Sequence, residues 1–218
     1  MLTSDPDERY AGNLRVNRWD AFALLSRFAL FEGTFRKYHT ELNLMSTANS
    51  LLQLAADAAD SVMESGKYKI YNTGKGALDY RSLFDSSNLS NNPEVMLNWR
   101  NDATQGISNN THTVLDVNWG LSRTLANTYL MADGTPFTSF PGYDTTSFDN
   151  IFNNRDPRMA ETIMPPGFEG YNSANPVTTD PNFGGYLQVK FYPRDPNLRQ
   201  GYNLDFTDLP IIRYAEVL

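Results

Sequence analysis

A mainly α-helical chain, built of tetratricopeptide-like helix pairs with long loop-rich insertions and a few short strands, is what three features of this sequence predict. Two segments with helical apolar periodicity follow one another between residues 17 and 66. The regular pattern then thins. The rest is dense in turn-forming and aromatic residues, including most of the 22 Asn, and reads as long, ordered loops carrying short elements.

The first helix spans about Arg18 to Lys37. Ala21, Leu24, Leu25, Phe28, Phe31 and Phe35 fall at helical spacing, Asn17 is the expected N-cap, and basic residues occupy the last turn, where they suit the negative end of the helix dipole. The second helix, roughly Ala48 to Ser65, repeats the pattern through Leu51, Leu52, Ala55, Ala58, Ala59, Val62 and Met63. Gly66 stands where a left-handed residue would stop it. With Ala21 and Ala29 facing Ala55 and Ala59, the two form a close antiparallel hairpin over about 17–66. A short helix at Tyr-Arg-Ser-Leu-Phe follows. Val95, Leu97 and Trp99 then alternate with polar residues, as in a strand. Residues 100–118 are a polar loop. A helix through Leu121, Leu125 and Tyr129 is closed by an Asp133-Gly134 turn, another is broken at Asp156-Pro157, and the stretch GGYLQVKFYP reads as a strand ending at Pro193. The last residues, DLPIIRYAEVL, read as a helix starting at about 209, with Asp208 as cap and Pro210 in the first turn; it lacks a stop signal, so the pattern expects it to run on. One domain over 1–218, with a loop-rich ligand-facing region at about 85–205, is the expected organisation.

Composition excludes several function classes. A formal net charge of −7 and no basic run longer than Arg36-Lys37 argue against nucleic acid as a partner. The absence of Cys removes disulfides, thiolate metal sites and thiol nucleophiles. His39 and His112 show no metal-ligand spacing, so no metal and no cofactor are expected. SGKYKIYNTGKGAL lacks phosphate-loop spacing, Gly120 to Thr124 lacks the final glycine of a nucleophile elbow, and nothing nominates a carboxylate pair. No enzyme is expected.

Asn and aromatic residues together suit neutral, hydroxyl-rich ligands, because rings cover C–H faces while amides both give and accept hydrogen bonds. The plainer reading is that Asn fills turns. Trp99, Arg100, Asn101 and Asp102 enter the polar loop, and Asn110, His112, Asn118 and Trp119 leave it; a loop folded back on itself would gather a ligand-binding platform. Equally, each Trp would pack beneath the loop. Arg155-Asp156-Pro157-Arg158 reads as local charges fixing a turn.

The segments RVNRWDAFALLSRFALFEGTFRKYH, ADSVMESGKYKIY, YRSLF, LANTYLMADGTPF, NNRDPRMAETIMPPG and DLPIIRYAEVL occur in the order found in the SusD/RagB family of outer-membrane nutrient-binding lipoproteins, which this chain resembles over most of its length. The resemblance implies surface binding of an oligosaccharide or other nutrient for uptake, a SusC-like TonB-dependent outer-membrane transporter as partner, and no catalysis. It also implies an internal fragment, with the lipid anchor before residue 1 and further helices after residue 218. No family motif assigns a sugar contact to a particular residue. The alternative is a tetratricopeptide-like module that binds a protein or peptide and no sugar.

Overall fold

Asn17 opens the first helix as expected: its side-chain oxygen accepts from the Trp19 N–H at 2.7 Å and the Asp20 N–H at 3.3 Å, while the Asn17 N–H donates to Asp20 Oδ2 at 2.8 Å. The computed structural model describes residues 13–111, 120–168 and 186–218. In chain order these hold α1 (Arg18–Tyr38), α2 (Ala48–Glu64), α3 (Ala77–Asp85), β1 (Val95–Trp99), α4 (Arg123–Thr128), β2 (Leu209–Arg213) and α5 (Tyr214–Val217), with short 3-10 turns between. The architecture is mainly helical, with a two-stranded antiparallel sheet and loop-rich regions. The chain divides into two compact units, one of Met1–Tyr71, Asn88–Arg100 and Leu209–Leu218, the other of Asn72–Ser87 and Asn101–Asp208.

In the first unit α1 and α2 form the expected hairpin, and small residues set their closeness. Ala29 and Ala55 are buried, joined by Ala23, Gly33, Ala48 and Ala58. A Cβ at Gly33 would lie 3.0 Å from Leu52 Cδ2 and 3.1 Å from the Ala48 carbonyl oxygen, so any larger residue would force these neighbours to give. Gly66 takes φ +63° and stops α2 as its position predicted. Large residues of α1 stay outside: Phe28 and Phe31 are 61% and 67% exposed. The stripe read from the sequence is therefore not the packed one, because close approach needs small side chains on the α2 side.

The rest of this unit's core is Ala23, Val62, Met96, Ile212 and Val217, flanked by Trp19, Phe22, Tyr68 and Tyr214. β1 pairs antiparallel with β2, Val95 opposite Arg213 and Trp99 opposite Leu209. The strand read around Trp99 is present, but the helix expected from 209 is not: residues 209–213 are β2, and helix begins only at Tyr214. Three causes act together. Leu209 precedes a proline and is pushed to extended backbone, Ile211 and Ile212 are β-branched, and the Asp208 carboxylate accepts from the Asn101 N–H at 2.9 Å. Arg213 reaches Glu94 (Nη1–Oε1 2.7 Å), and Glu216 takes Arg27.

The second unit packs Ala126, Met131, Phe137, Ile151, Met159, Ile163 and Tyr186 beneath its loops. The strand expected in GGYLQVKFYP is, among the described residues, only isolated bridges: Tyr186 with Leu121 and Gln188 with Ile163. Pro193 and the left-handed Phe191 (φ +68°) end any extended run there. The Asp133-Gly134 turn forms as read, with Asp133 Oδ1 accepting from the Thr135 N–H at 2.9 Å.

Candidate ligand-binding surface

Trp99 and Arg100 end the first unit's strand segment. Trp99, the last residue of β1, is 58% exposed, and Arg100 is half-buried. Asn101, Asp102 and Asn110 belong to the second unit, where they are knitted into the loop. Asn101 is 2% exposed and its Nδ2 donates to the Thr207 carbonyl at 2.7 Å, which also accepts from Asn109 Nδ2 at 2.9 Å. Asp102 Oδ1 accepts from the Thr104 N–H and hydroxyl at 2.9 and 2.6 Å. Asn110 Oδ1 accepts from the Asn203 N–H at 3.2 Å. Asn101 therefore supports the loop from inside and offers solvent nothing. His112, Asn118 and Trp119 lie outside the described residues.

The same use of short polar side chains recurs. Asn72, Asn88, Asn92, Asn109, Asp102, Asp133, Asp156 and Asp195 each accept the backbone N–H two residues onward, at 2.8–3.0 Å. Turn-making thus accounts for a visible share of the Asn in the sequence. The glycine-bearing loop before α3 is explained as well. Asp79 accepts from the Thr73 N–H at 2.7 Å, the Thr73 hydroxyl at 2.6 Å and the Lys75 N–H at 3.1 Å, which holds its carboxyl below the usual range. The place an anion would take is filled by the protein's own carboxylate.

Arg155 has a role that local sequence does not reveal. It is 6% exposed, and its guanidinium donates to the carbonyls of Ala126 (2.7 Å), Tyr129 (2.8 Å) and Ile151 (2.9 Å), and more weakly to Leu130 (3.4 Å). It also sits 3.7 Å from the centre of the Phe137 ring. Burial pulls its pKa below the ordinary value, though arginine stays charged at neutral pH. A cation at the C-terminal end of α4 thereby answers carbonyls the helix cannot satisfy itself. Beside it, Asp156 caps the turn Pro157–Met159 and pairs with Arg158.

Among the described residues each unit carries a concavity. In the first unit an apolar groove of about 460 Å³ runs along α1 between Leu30, Phe31, Phe35 and Tyr38, with the Arg27–Glu216 pair among its lining residues. In the second, a cleft of about 330 Å³ is lined by Thr124, Asn127 and Thr128 of α4 with Leu130, Pro136 and Thr138. No residue of that cleft is charged, and sequence reading gave no sign of it, since isolated threonines carry no pattern.

Among the described residues no group of His, Cys, Asp or Glu gathers as a metal site, and no helix is long and apolar enough to cross a membrane. The family is shown by direct comparison: the model of the SusD family matches residues 93–218, more than half of the chain, and the protein belongs to that family. It is a family of binding proteins associated with nutrients and glycans at the cell surface. No curated protein and no solved structure matches the chain.

Proposed function

We propose that this chain forms part of a surface lipoprotein that captures an oligosaccharide and passes it to a SusC-like TonB-dependent transporter in the outer membrane. Membership of the SusD family, over residues 93–218, carries the reading. It is supported by the exposure of Trp99 at the end of β1, because a flat ring offers a sugar's C–H face a large contact at little entropic cost. The contacts proposed are Trp99 and Arg100, with Asp102, Asn110, His112, Asn118 and Trp119 as further members of the loop; Asn101 is assigned to loop support.

A glycan array followed by affinity electrophoresis tests the reading. At least one neutral oligosaccharide is expected to bind, and Trp99→Ala is expected to weaken it more than tenfold without lowering the melting temperature. If Trp99→Ala instead lowers the melting temperature while affinity holds, the ring is a packing residue and this contact is refuted. Co-expression with the neighbouring transporter should yield a complex that survives detergent and moderate salt; repeated failure to associate would remove the partner. The second reading, a tetratricopeptide-like peptide-binding module, draws on the α1–α2 hairpin and its exposed aromatic face. It predicts peptide capture blocked by Phe31→Asp and indifferent to Trp99.

A further inference from the structure

The cleft beside α4 is a built feature. Its walls are α4 on one side and the segment Leu130 to Thr138 on the other. Arg155 fixes the end of α4 through the carbonyls of Ala126 and Tyr129. The Asp133 turn fixes the opposite wall: the Met131 N–H donates to the Thr135 carbonyl at 2.9 Å, and Leu130 bridges Pro136. Beneath lie the buried Ala126, Met131 and Phe137. A concave surface with rigid walls loses little freedom when it is filled.

Its chemistry is selective. Thr124 and Thr138 bring exposed hydroxyls, Thr128 a hydroxyl that donates to the Leu125 carbonyl at 2.7 Å, and Asn127 a half-buried amide. Leu130 and Pro136 add apolar surface. An anionic or cationic ligand would find no opposite charge among the lining residues, whereas a molecule carrying hydroxyls on an apolar ring would find donors, acceptors and C–H contact together. About 330 Å³ is at the lower end of small-molecule sites, which suits one ring and not a chain.

We infer that the cleft lined by Thr124, Asn127, Thr128, Leu130, Pro136 and Thr138 is a subsite for a single uncharged sugar ring. This rests on the nutrient-binding reading and goes beyond it by giving one ring of the ligand a place in the second unit. The motif residues Asp133 and Arg155 act there as supports and touch no ligand.

The test is a nuclear magnetic resonance titration of the 218-residue chain with the methyl glycosides of glucose, galactose, mannose, xylose and N-acetylglucosamine, with galacturonate as the charged comparison. At least one neutral glycoside should shift backbone amides within residues 124–138, and galacturonate should not. Thr124→Val and Thr138→Val keep side-chain shape and remove one hydroxyl, so each should weaken that binding about two- to tenfold, the range of one neutral hydrogen bond, with the unliganded spectrum otherwise unchanged. If no neutral glycoside moves an amide in 124–138, or if the valine variants bind as the parent does, the assignment is overturned. Either result leaves the oligosaccharide reading to stand or fall on its own array and Trp99 measurements.

Discussion

Replacing Arg155 by Met removes a buried cation while keeping much of its length and its apolar contact with Phe137, so the experiment isolates the hydrogen bonds. Three carbonyls, of Ala126, Tyr129 and Ile151, accept from the guanidinium at 2.7–2.9 Å, and Arg155 is 6% exposed. A hydrogen bond to a charged group contributes roughly 1.5–3 kcal/mol, and three would total about 5–9 kcal/mol if they were independent. They are not independent, since one rigid fork makes them all, and Met relieves the desolvation of the charge. A net loss of about 3–5 kcal/mol is therefore expected for the second unit. Arg155→Lys keeps the charge but lacks the fork and should fall between. Urea unfolding followed by circular dichroism measures the loss, and hydrogen exchange localises it: the amides of Ala126, Met131 and Gly134 should lose protection together. A cost below about 1 kcal/mol for Arg155→Met, with exchange unchanged at those amides, would show that α4 and the turn hold without the arginine and would refute the reasoning.

The remaining expectations concern the first unit. Gly33→Ala gains about 1 kcal/mol of helix propensity but drives a methyl against Leu52 and the Ala48 carbonyl, so the melting temperature should fall; a rise would mean the helices separate at little cost. Burial pushes the Asp20 carboxyl up from 3.8 to about 6, against the Asn17 N–H, which favours the anion. The folded state thus holds this proton more tightly than the unfolded state, so the contribution is complete below pH about 4 and is lost as pH rises through about 6, by up to ~3 kcal/mol. Asp20→Asn should flatten that slope; equal losses of urea resistance in variant and parent between pH 4 and 7 would refute it.

How far the sequence reveals this architecture depends on the range of the interactions involved. The helical hairpin was readable because its signals are local: Asn17 three residues before Asp20, apolar periodicity, and Gly66 at the stop. Strand β1 was readable from alternation. The end of the chain is ambiguous in the sequence because Asp208 and Pro210 fit a helix start equally well, and what decides is the pairing of β2 with β1 more than 100 residues earlier in sequence, which no local pattern contains. The site shows the same division. Residue type alone singles out Trp99, which is exposed, and equally Asn101, which lies under the loop because Thr207 and Asp208 come back to meet it. In the sequence Arg155 looks like a local turn charge, whereas its partners lie up to 29 residues away and are carbonyls, which have no sequence signature.

The clasps in which an Asn or Asp side chain takes the N–H two residues onward confer a kind of design freedom. Each closes within three residues, even where, as at Asn109, the same side chain also reaches a distant carbonyl, so the chain between two clasps can change without opening either turn. A sheet edge or helix face offers no such independence, because altering one residue disturbs neighbours distant in sequence. Loops closed by such local clasps can be altered one at a time, while a buried anchor such as Arg155 keeps the carbonyls around it in place.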